Sequence, residues 1–523
     1  AQKIDAAVLA GSVAVAAGQT GVAVSGSGAI VLNKIGADVD AFIEGDTTDG
    51  DNEAVEAGSI SINASDDSTI NTIAGAASAA IALGQTGIAV SIGAAVALNE
   101  ISTTVDAYIR DMDGITADAS QVINALGDTR TTGDITVSAT QAAEINAIAA
   151  AASIAIGIGQ TGIAISGAGA GATNTILTST DATIDNSSIR GGDAVDVDAS
   201  NTSSISAIIV AASAAIGGGQ VGVGASIGVA MARNLIGNRI DKSWTAAPAT
   251  ATIYTSGQTF SGDHYITNGD YVIVEGGIND GDVYEYIGKD QDGVEQDLLV
   301  EDGQTVGDKD LRNTDLWRQV NLDDSQSANV TASVVDTSVN TEGTLSITAN
   351  SDQTVDALVF AGSVAVGAGQ VGVGISGAGV SAQNLINSDT LAYINGDGTG
   401  TGAGMTVGAV DIDATDSSEI NSLAGAAAIA AGFGQVGVSL SLGVAIASNV
   451  IDNTIEAYIT AADDGISAVK GDIDIHAADD ATIVSDSVAA ALSVAVGQVG
   501  VALAGAGAIA ENVIGNEVQA YVD

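Results

Sequence analysis

The chain alternates between short stretches with one apolar face and longer stretches that are apolar on both faces. Residues 59–64 (SISINA) and 472–475 (DIDI) alternate strictly between polar and apolar side chains, which is typical of a strand with one buried face. Residues 13–16 and 22–25 are apolar or small at every position, as in strands covered on both sides. An alanine-rich helix is a rival interpretation for residues 147–156, but the density of Gly, Val, Ile, Ser and Thr elsewhere favours strands. The pattern predicts an all-β chain.

This strand pattern recurs seven times around a Gly-Gln-(Thr/Val)-Gly tetrad. The tetrad glutamines are Gln19, Gln85, Gln160, Gln220, Gln370, Gln435 and Gln498. Fourteen residues after each glutamine lies an asparagine, and these are Asn33, Asn99, Asn174, Asn234, Asn384, Asn449 and Asn512. Fixed spacings of this kind indicate stacked structural repeats. We therefore predict a repeat β-solenoid of seven units, each of about 60–75 residues, with small residues in its core.

The two amide columns have a structural explanation in such a stack. Equivalent residues of neighbouring coils lie about 4.8 Å apart, so glutamine would meet glutamine and asparagine would meet asparagine as amide ladders. The glycines of the tetrad suit a tight corner in which φ is positive. We predict a ladder or turn role for both columns, and no catalytic one.

Seven residues after each glutamine, glycine alternates with a bulky aliphatic residue from one copy to the next. The residues are Gly26, Ile92, Gly167, Ile227, Gly377, Leu442 and Gly505. One interpretation is that a bulky residue in one coil fills the hole left by glycine in its neighbour; the other is that consecutive copies face opposite sides of a fibre. The first predicts that Gly167→Ile overpacks the stack and destabilises it by about 1–3 kcal/mol.

One segment interrupts the repeat. The spacing from Ala182 to Val195 recurs from Ala332 to Leu345, so the fourth copy resumes at Ala332. We assign residues 1–241 to repeats 1–4, residues 242–331 to an inserted small β-module, and residues 332–523 to the end of repeat 4 and repeats 5–7.

The inserted segment is rich in aromatic residues, with both tryptophans and five of the nine tyrosines of the chain. Its Gly-Asp-x-Tyr strand (GDVY, residues 281–284) and its terminal Trp resemble those of small chitin-binding modules. Trp317, Tyr284 and Tyr286 are the candidates for stacking on sugar rings. The alternative is that the aromatic residues form the module's own core.

Composition limits the function classes. The chain has 64 Asp and Glu against 13 Lys and Arg, a formal charge of −51, which disfavours nucleic acid and anionic membranes as partners. The acid either forms a solvated, self-repelling surface or takes up Ca²⁺ in loops, with Asp46, Asp49 and Asp51 as candidate ligands; we expect no other cofactor.

The composition also excludes several structural classes. The absence of cysteine excludes disulfides and thiolate metal sites. A single proline and the lack of a three-residue glycine period exclude collagen. The apolar stretches are rich in Gly, Ala and Ser and lack basic flanks, so we expect no membrane-spanning helix.

An enzyme is disfavoured by the near absence of charge on the strand faces. Asp5 is the single charged residue among residues 4–32, whereas solenoid lyases and glycosidases place carboxylates on one strand face. We predict no catalytic residues.

The repeat resembles those of very large bacterial surface exoproteins, the filamentous-haemagglutinin-like and leukotoxin-type adhesins. The resemblance is carried by the strings GQTGIAVS, Asn-x-Ile, VDAYIR and GDITVSAT, and it covers nearly all of the chain outside the insert. It implies a β-solenoid at the cell surface or outside the cell, used as a stalk or in adhesion.

The expected function is thus an extracellular fibre, filament or stalk segment that stacks through its β-strands. Its partner would be another copy, added end to end or laterally, or the continuation of one giant chain. The alternative is an adhesin whose inserted module binds surface glycans.

Overall fold

The computed structural model describes residues 1–45, 55, 57, 59–112, 123–124, 133–190, 194–237, 251–259, 264–274, 283–288, 298–300, 305–306, 317–320, 327–398 and 404–523. Within these ranges there is no α-helix, and hence none that could cross a membrane. The chain divides into two compact units, one of Ala1–Ile236 with Asn329–Asp523 and the other of Gly237–Ala328. The second unit therefore begins a few residues before residue 242 and ends a few residues before residue 331, the bounds predicted from the sequence. It ends earlier because Asn329 already pairs with Ser179 of the stack.

The first unit is a stack of seven coils, numbered here by their tetrad glutamines, and it confirms the predicted all-β solenoid. Equivalent strands of successive coils pair in parallel to form columns. Their register follows the sequence spacings, since Asn33 lies opposite Asn99 and Ala332 lies opposite Ala182. The predicted resumption of the repeat at Ala332 is therefore confirmed.

Five columns of strands make up the stack. The first column is Ile60–Asp66, Ile135–Gln141, Val195–Asn201, Thr344–Ser351, Ala409–Asp416 and Ile473–Asp479. In coils 1 and 2 the next three columns are continuous strands, Lys3–Glu44 and Thr69–Arg110, and in coil 3 the third and fourth are joined in Thr161–Asp185. Elsewhere the second column is Glu144–Ile158, Ser204–Gly218, Thr354–Ala368, Glu419–Phe433 and Thr482–Val496.

The remaining columns follow the tetrad corner. The third is Val221–Ile236, Val371–Ile386, Val436–Ile451 and Val499–Ile514. The fourth is Ala328–Val335, Ser388–Asn395, Thr454–Thr460 and Glu517–Val522. The fifth is Ile123–Asn124, Ser188–Arg190, Ser338–Asn340, Met405–Val407 and Ile466–Ala468.

Two cores of different composition hold each coil. The first, fourth and fifth columns, which we call the base, enclose a core of Ile, Val, Ala, Leu and Met. The second and third columns around the corner form two facing sheets, which we call the fin, and the buried core between them contains alanine. The fin comprises residues 7–30, 73–96, 148–171, 208–231, 358–381, 423–446 and 486–509. Near the corner only small residues fit between its sheets, because the two backbones approach so closely.

The second unit has two small sheets. One contains Ile253–Thr255, Tyr271–Ile273, Val283–Tyr286 and Trp317–Gln319. The other pairs His264–Ile266 with Leu298–Val300 in antiparallel fashion. Their core contains Tyr254, Ile266, Val272, Tyr286, Val300, Val306 and Trp317.

Candidate functional site

An unbroken asparagine ladder runs through the stack. In each of coils 1–6 the Nδ2 of the asparagine donates to the Oδ1 of the asparagine in the next coil, at 2.7–2.8 Å, from Asn33 through to Asn512. The five inner asparagines are almost completely buried. The bond from Asn234 to Asn384 joins residues separated by the inserted unit. All seven amides therefore point in one direction along the stack.

The glutamines do not form the expected second ladder. All seven are described and exposed, and no hydrogen bond joins the side chain of one to that of the next. Their backbones stack instead: the carbonyl oxygens of Gln160, Gln220 and Gln370 each accept the N–H that follows the glutamine of the next coil, at 2.9 Å. The side chains project into solvent at the corner because the backbone alone makes the turn.

The tetrad glycines are required for close approach rather than for positive φ. In the tetrads only Gly219 has a positive φ. A Cβ at Gly159 would overlap the carbonyl oxygen of Gly84 in the preceding coil, and one at Gly87 would lie 2.6 Å from the carbonyl oxygen of Ile158 in the facing strand of the next coil. The expectation of a left-handed corner was therefore wrong for most copies.

Paired serines join the two sheets of the fin. The hydroxyls of Ser78 and Ser91 lie 2.7 Å apart, and those of Ser213 and Ser226 lie 2.6 Å apart. The same pairing occurs in coils 1, 3 and 5. These serines lie among alanines, so each hydroxyl satisfies the other within a dry layer.

The outer surfaces of the fin carry its large side chains. Ile92, Ile227 and Leu442 are 56%, 59% and 53% exposed. Among all residues of the fin, only Asp486 is charged. The sequence indicated strands covered on both sides, but in this chain each fin sheet is covered on its inner side alone.

The predicted complementarity of glycine and bulky residues holds in part, since a Cβ at Gly505 would lie 3.4 Å from the Cδ1 of Leu442 and one at Gly377 would lie 4.0 Å from the Cγ1 of Ile227. A Cβ at Gly167 would meet nothing within 4 Å, so the expected overpacking by Gly167→Ile was wrong.

Closer complementarity occurs on the opposite face of the fin, where Leu9 covers Gly75 and Phe360 covers Gly425. These pairs lie ten residues before the tetrad glutamine, where a large residue in one coil is followed by glycine in the next. This regularity in the sequence could have predicted the contact.

A second set of stacked side chains lies on the fourth column. Tyr393, Tyr458 and Tyr521 stack with ring centroids 4.8 and 5.0 Å apart, and Phe42 stacks on Tyr108 at 5.0 Å. Burial raises the pKa of the Tyr458 hydroxyl. The aromatic residue that follows the alanine in strings such as AFI, AYI and AYV of the sequence carries this signal.

Carboxylates concentrate on the base. Burial raises the pKa of Asp181, Asp196 and Asp198. Asp413 and His476 of neighbouring coils form an ion pair at 2.7 Å, and the hydrogen bond that the Nδ1 of His476 donates to Asp413 raises the pKa of His476.

The described residues contain no group of three or more His, Cys, Asp or Glu side chains that could hold a metal ion. The candidate Ca²⁺ ligands Asp46, Asp49 and Asp51 lie outside the described residues.

The aromatic candidates for sugar binding lie mostly inside the second unit. Trp317 and Tyr286 are 2% and 1% exposed and pack edge to face with centroids 5.0 Å apart. Tyr284 is half-buried. Trp317 and Tyr286 cannot stack on a sugar ring because their faces are occupied by the core, so the proposed glycan contact through them is corrected to a packing role.

These features define a parallel β-solenoid whose ladders and faces are repeated along one axis. No protein-family model matches the chain, and neither a curated protein nor a solved structure matches it.

Proposed function

We propose that this chain is a structural fibre subunit or stalk segment of a giant bacterial surface protein, in which coils add end to end through β-strands. The asparagine ladder carries the proposal. It ends with the Nδ2 of Asn512 in coil 7 and the Oδ1 of Asn33 in coil 1, a donor and an acceptor that a further coil at either end would engage.

The backbone supports the same mode of growth. Lys3–Glu44 pairs with coil 2 alone, and Val499–Ile514 pairs with coil 6 alone. An unpaired parallel edge is a template for another strand of the same kind. Ala504 of coil 7 is exposed and Ile4 of coil 1 is half-buried, whereas their equivalents in the neighbouring inner coils are buried. A further coil would therefore bury apolar surface as well as completing hydrogen bonds.

The role at the cell surface rests on the sequence resemblance to giant exoproteins. The geometry adds a reason for a structural role: the same contacts recur in every coil, whereas an active site needs one distinctive arrangement of groups. Immunogold labelling of intact and permeabilised cells that carry the native protein tests the location, with label on intact cells expected.

End-to-end growth is tested by proline at one open edge. The N–H groups of Val499 and Gly515 donate to coil 6, so in a regular parallel strand the N–H of Ala508 points to the open edge. Ala508→Pro removes that donor without breaking a bond of the stack. Electron microscopy of the purified chain should show elongated particles that shorten in Ala508→Pro and persist in the control Ala508→Ser. Isolated particles at every concentration of the unaltered chain would contradict self-stacking.

A further inference from the structure

The fin has small side chains inside and large apolar side chains outside. In most water-soluble proteins the large apolar side chains are buried instead. Apart from Ile209, Val359 and Val380, its interior in the inner coils consists of Gly, Ala and Ser. By contrast, Ile92, Ile227 and Leu442 project outward and are more than half exposed. Monomeric proteins rarely expose a contiguous apolar patch larger than a few hundred Å². A surface of this kind therefore needs a covering partner.

The outer side of the third column is the more regular of the two surfaces, and we call it the grooved face. It consists of the outward-facing residues within 20–30, 86–96, 161–171, 221–231, 371–381, 436–446 and 499–509, and none of these residues is charged. Eleven residues of strand by seven coils give about 36 by 34 Å, or roughly 1,200 Å².

The grooved face is corrugated with a period of two coils. Coils 2, 4 and 6 present ridges, Ile92 with Ala94, Ile227 with Val229, and Leu442 with Val444. Coils 1, 3, 5 and 7 present glycine pairs, Gly26 with Gly28, Gly167 with Gly169, Gly377 with Gly379, and Gly505 with Gly507. A Cβ built at Gly28, Gly167, Gly169, Gly379 or Gly507 meets nothing within 4 Å, while one at Gly377 or Gly505 would touch the edge of the neighbouring ridge at 4.0 or 3.4 Å. The glycines thus form open grooves about 9.6 Å apart, each one coil away from a ridge.

We propose that the grooved face binds the grooved face of a second copy of this chain, with the ridges of each copy seated in the glycine grooves of the other. A two-fold axis along the strand direction reverses the order of the coils and keeps equivalent positions opposite each other. Coil 3 then faces coil 4, coil 2 faces coil 5 and coil 1 faces coil 6, so that a groove meets a ridge in every pair. The other two-fold axis in the plane of the face runs along the stack. It would keep the order of the coils, so each coil would face its own equivalent and ridge would meet ridge.

The area and the charge distribution fit a second copy. With six coils of each copy opposed, the two faces bury about 2,100 Å², above the roughly 1,600 Å² of a standard stable interface. Facing sheets with interdigitated side chains pack about 10 Å apart. The strong negative charge of the chain lies outside the fin, apart from Asp486, so repulsion between copies acts at a distance and is screened by salt. Lateral association therefore strengthens as ionic strength rises.

This lateral interface deepens the proposed structural role and rests on it. Experiments can nevertheless disprove lateral pairing and end-to-end growth independently of each other. End-to-end growth uses the edge backbone of coils 1 and 7, whereas lateral pairing uses side chains along the grooved face. Loss of pairing alone leaves thin, single-stack particles of unchanged length, and loss of axial growth alone leaves short pairs.

Filling one groove tests the interface. Gly167→Ile combined with Gly169→Val gives coil 3 the ridge that coil 4 carries at Ile227 and Val229. Both positions have open space in the single chain, so the melting temperature should be unchanged, while ridge against ridge weakens pairing by about tenfold or more. The matched control is Gly362→Val, on the opposite face of the fin, where a Cβ also meets nothing within 4 Å. Sedimentation equilibrium at several salt concentrations measures the pairing.

A complementary variant sharpens the test. Ile227→Ala with Val229→Ala removes the ridge of coil 4, which faces coil 3 of the partner, so mixing this variant with the filled-groove variant should restore pairing. The proposal is overturned if the unaltered chain remains unpaired at all salt concentrations, or if filling the groove weakens pairing no more than Gly362→Val does. Binding of the unaltered chain to phosphatidylcholine vesicles without any pairing would identify a lipid surface as the occupant and overturn it equally.

Discussion

Asn174 shows how much a single buried amide contributes to the stack. It is completely buried, accepts a hydrogen bond from Asn99 and donates one to Asn234, both at 2.8 Å. Gln160 belongs to the same coil and recurs just as regularly in the sequence, yet its side chain is exposed. Burial, rather than recurrence, decides which of the two amides stabilises the fold.

Asn174→Ala should lower the free energy of unfolding by about 2–5 kcal/mol. It leaves the Nδ2 of Asn99 and the Oδ1 of Asn234 buried without a partner, and each unsatisfied group costs about 1–3 kcal/mol. Gln160→Ala, the control in the same coil, should change it by no more than about 0.5 kcal/mol. Urea denaturation followed by circular dichroism compares the two, and equal effects would contradict the assignment of the ladder.

At the scale of the element, the fin depends on how closely its backbones approach. Gly159 lies beneath the carbonyl oxygen of Gly84, and its hypothetical Cβ would also lie 2.8 Å from the carbonyl oxygen of Gln85. Gly167 is eight residues away in the same coil and has open space around it. The two glycines look alike in the sequence, but one closes the corner and the other forms the surface.

Gly159→Ala should destabilise the stack by about 1–3 kcal/mol, because a backbone carbonyl cannot move aside without shifting the neighbouring coil. Gly167→Ala should be close to neutral, within about 0.5 kcal/mol. Thermal denaturation of the two variants, with hydrogen exchange at the corner as a local readout, measures the difference. A neutral Gly159→Ala would show that the corner is looser than described.

Across the whole molecule, several aspartate side chains are buried deeply enough for their ionised form to be disfavoured. Burial raises the pKa of Asp181, Asp185, Asp198 and Asp416. Of the described carboxylates with a shifted pKa, Asp5 alone moves downward, chiefly through its hydrogen bond with Asn71. The folded chain therefore binds protons more tightly than the unfolded chain at most of these sites.

The melting temperature should consequently rise as the pH falls from 7 towards the ordinary aspartate pKa of about 3.8. In this window the folded state holds protons that the unfolded state has lost, and the stabilisation disappears as the pH rises through the raised pKa values. Dilute samples, scanned by circular dichroism at fixed ionic strength, limit self-association during the measurement. A melting temperature that falls steadily on acidification would contradict this prediction.

The sequence predicted the register of the stack because identical residues recur at fixed distances, as Asn33 and Asn99 do. It could not predict which amide column is buried, since that depends on how far the chain turns at the corner. It also could not distinguish a fin strand covered on both faces from one covered on a single face. Ala155 faces the other sheet of this chain, while Ile154 faces outward. The same ambiguity applied to Trp317, whose strand is too short for an alternating pattern to assign its direction.

The insertion in coil 4 has a consequence for engineering. The asparagine ladder passes from Asn234 to Asn384 as though no residues intervened, and Ala332 pairs with Ala182 in unbroken register. In coil 5 the equivalent strands, Val371–Ile386 and Ser388–Asn395, are joined by one residue, which gives the length of linker that would close coil 4 without its module. Coil 4 is therefore an insertion site. We expect that a foreign domain whose termini lie close together could replace the native module there without changing the register of the stack.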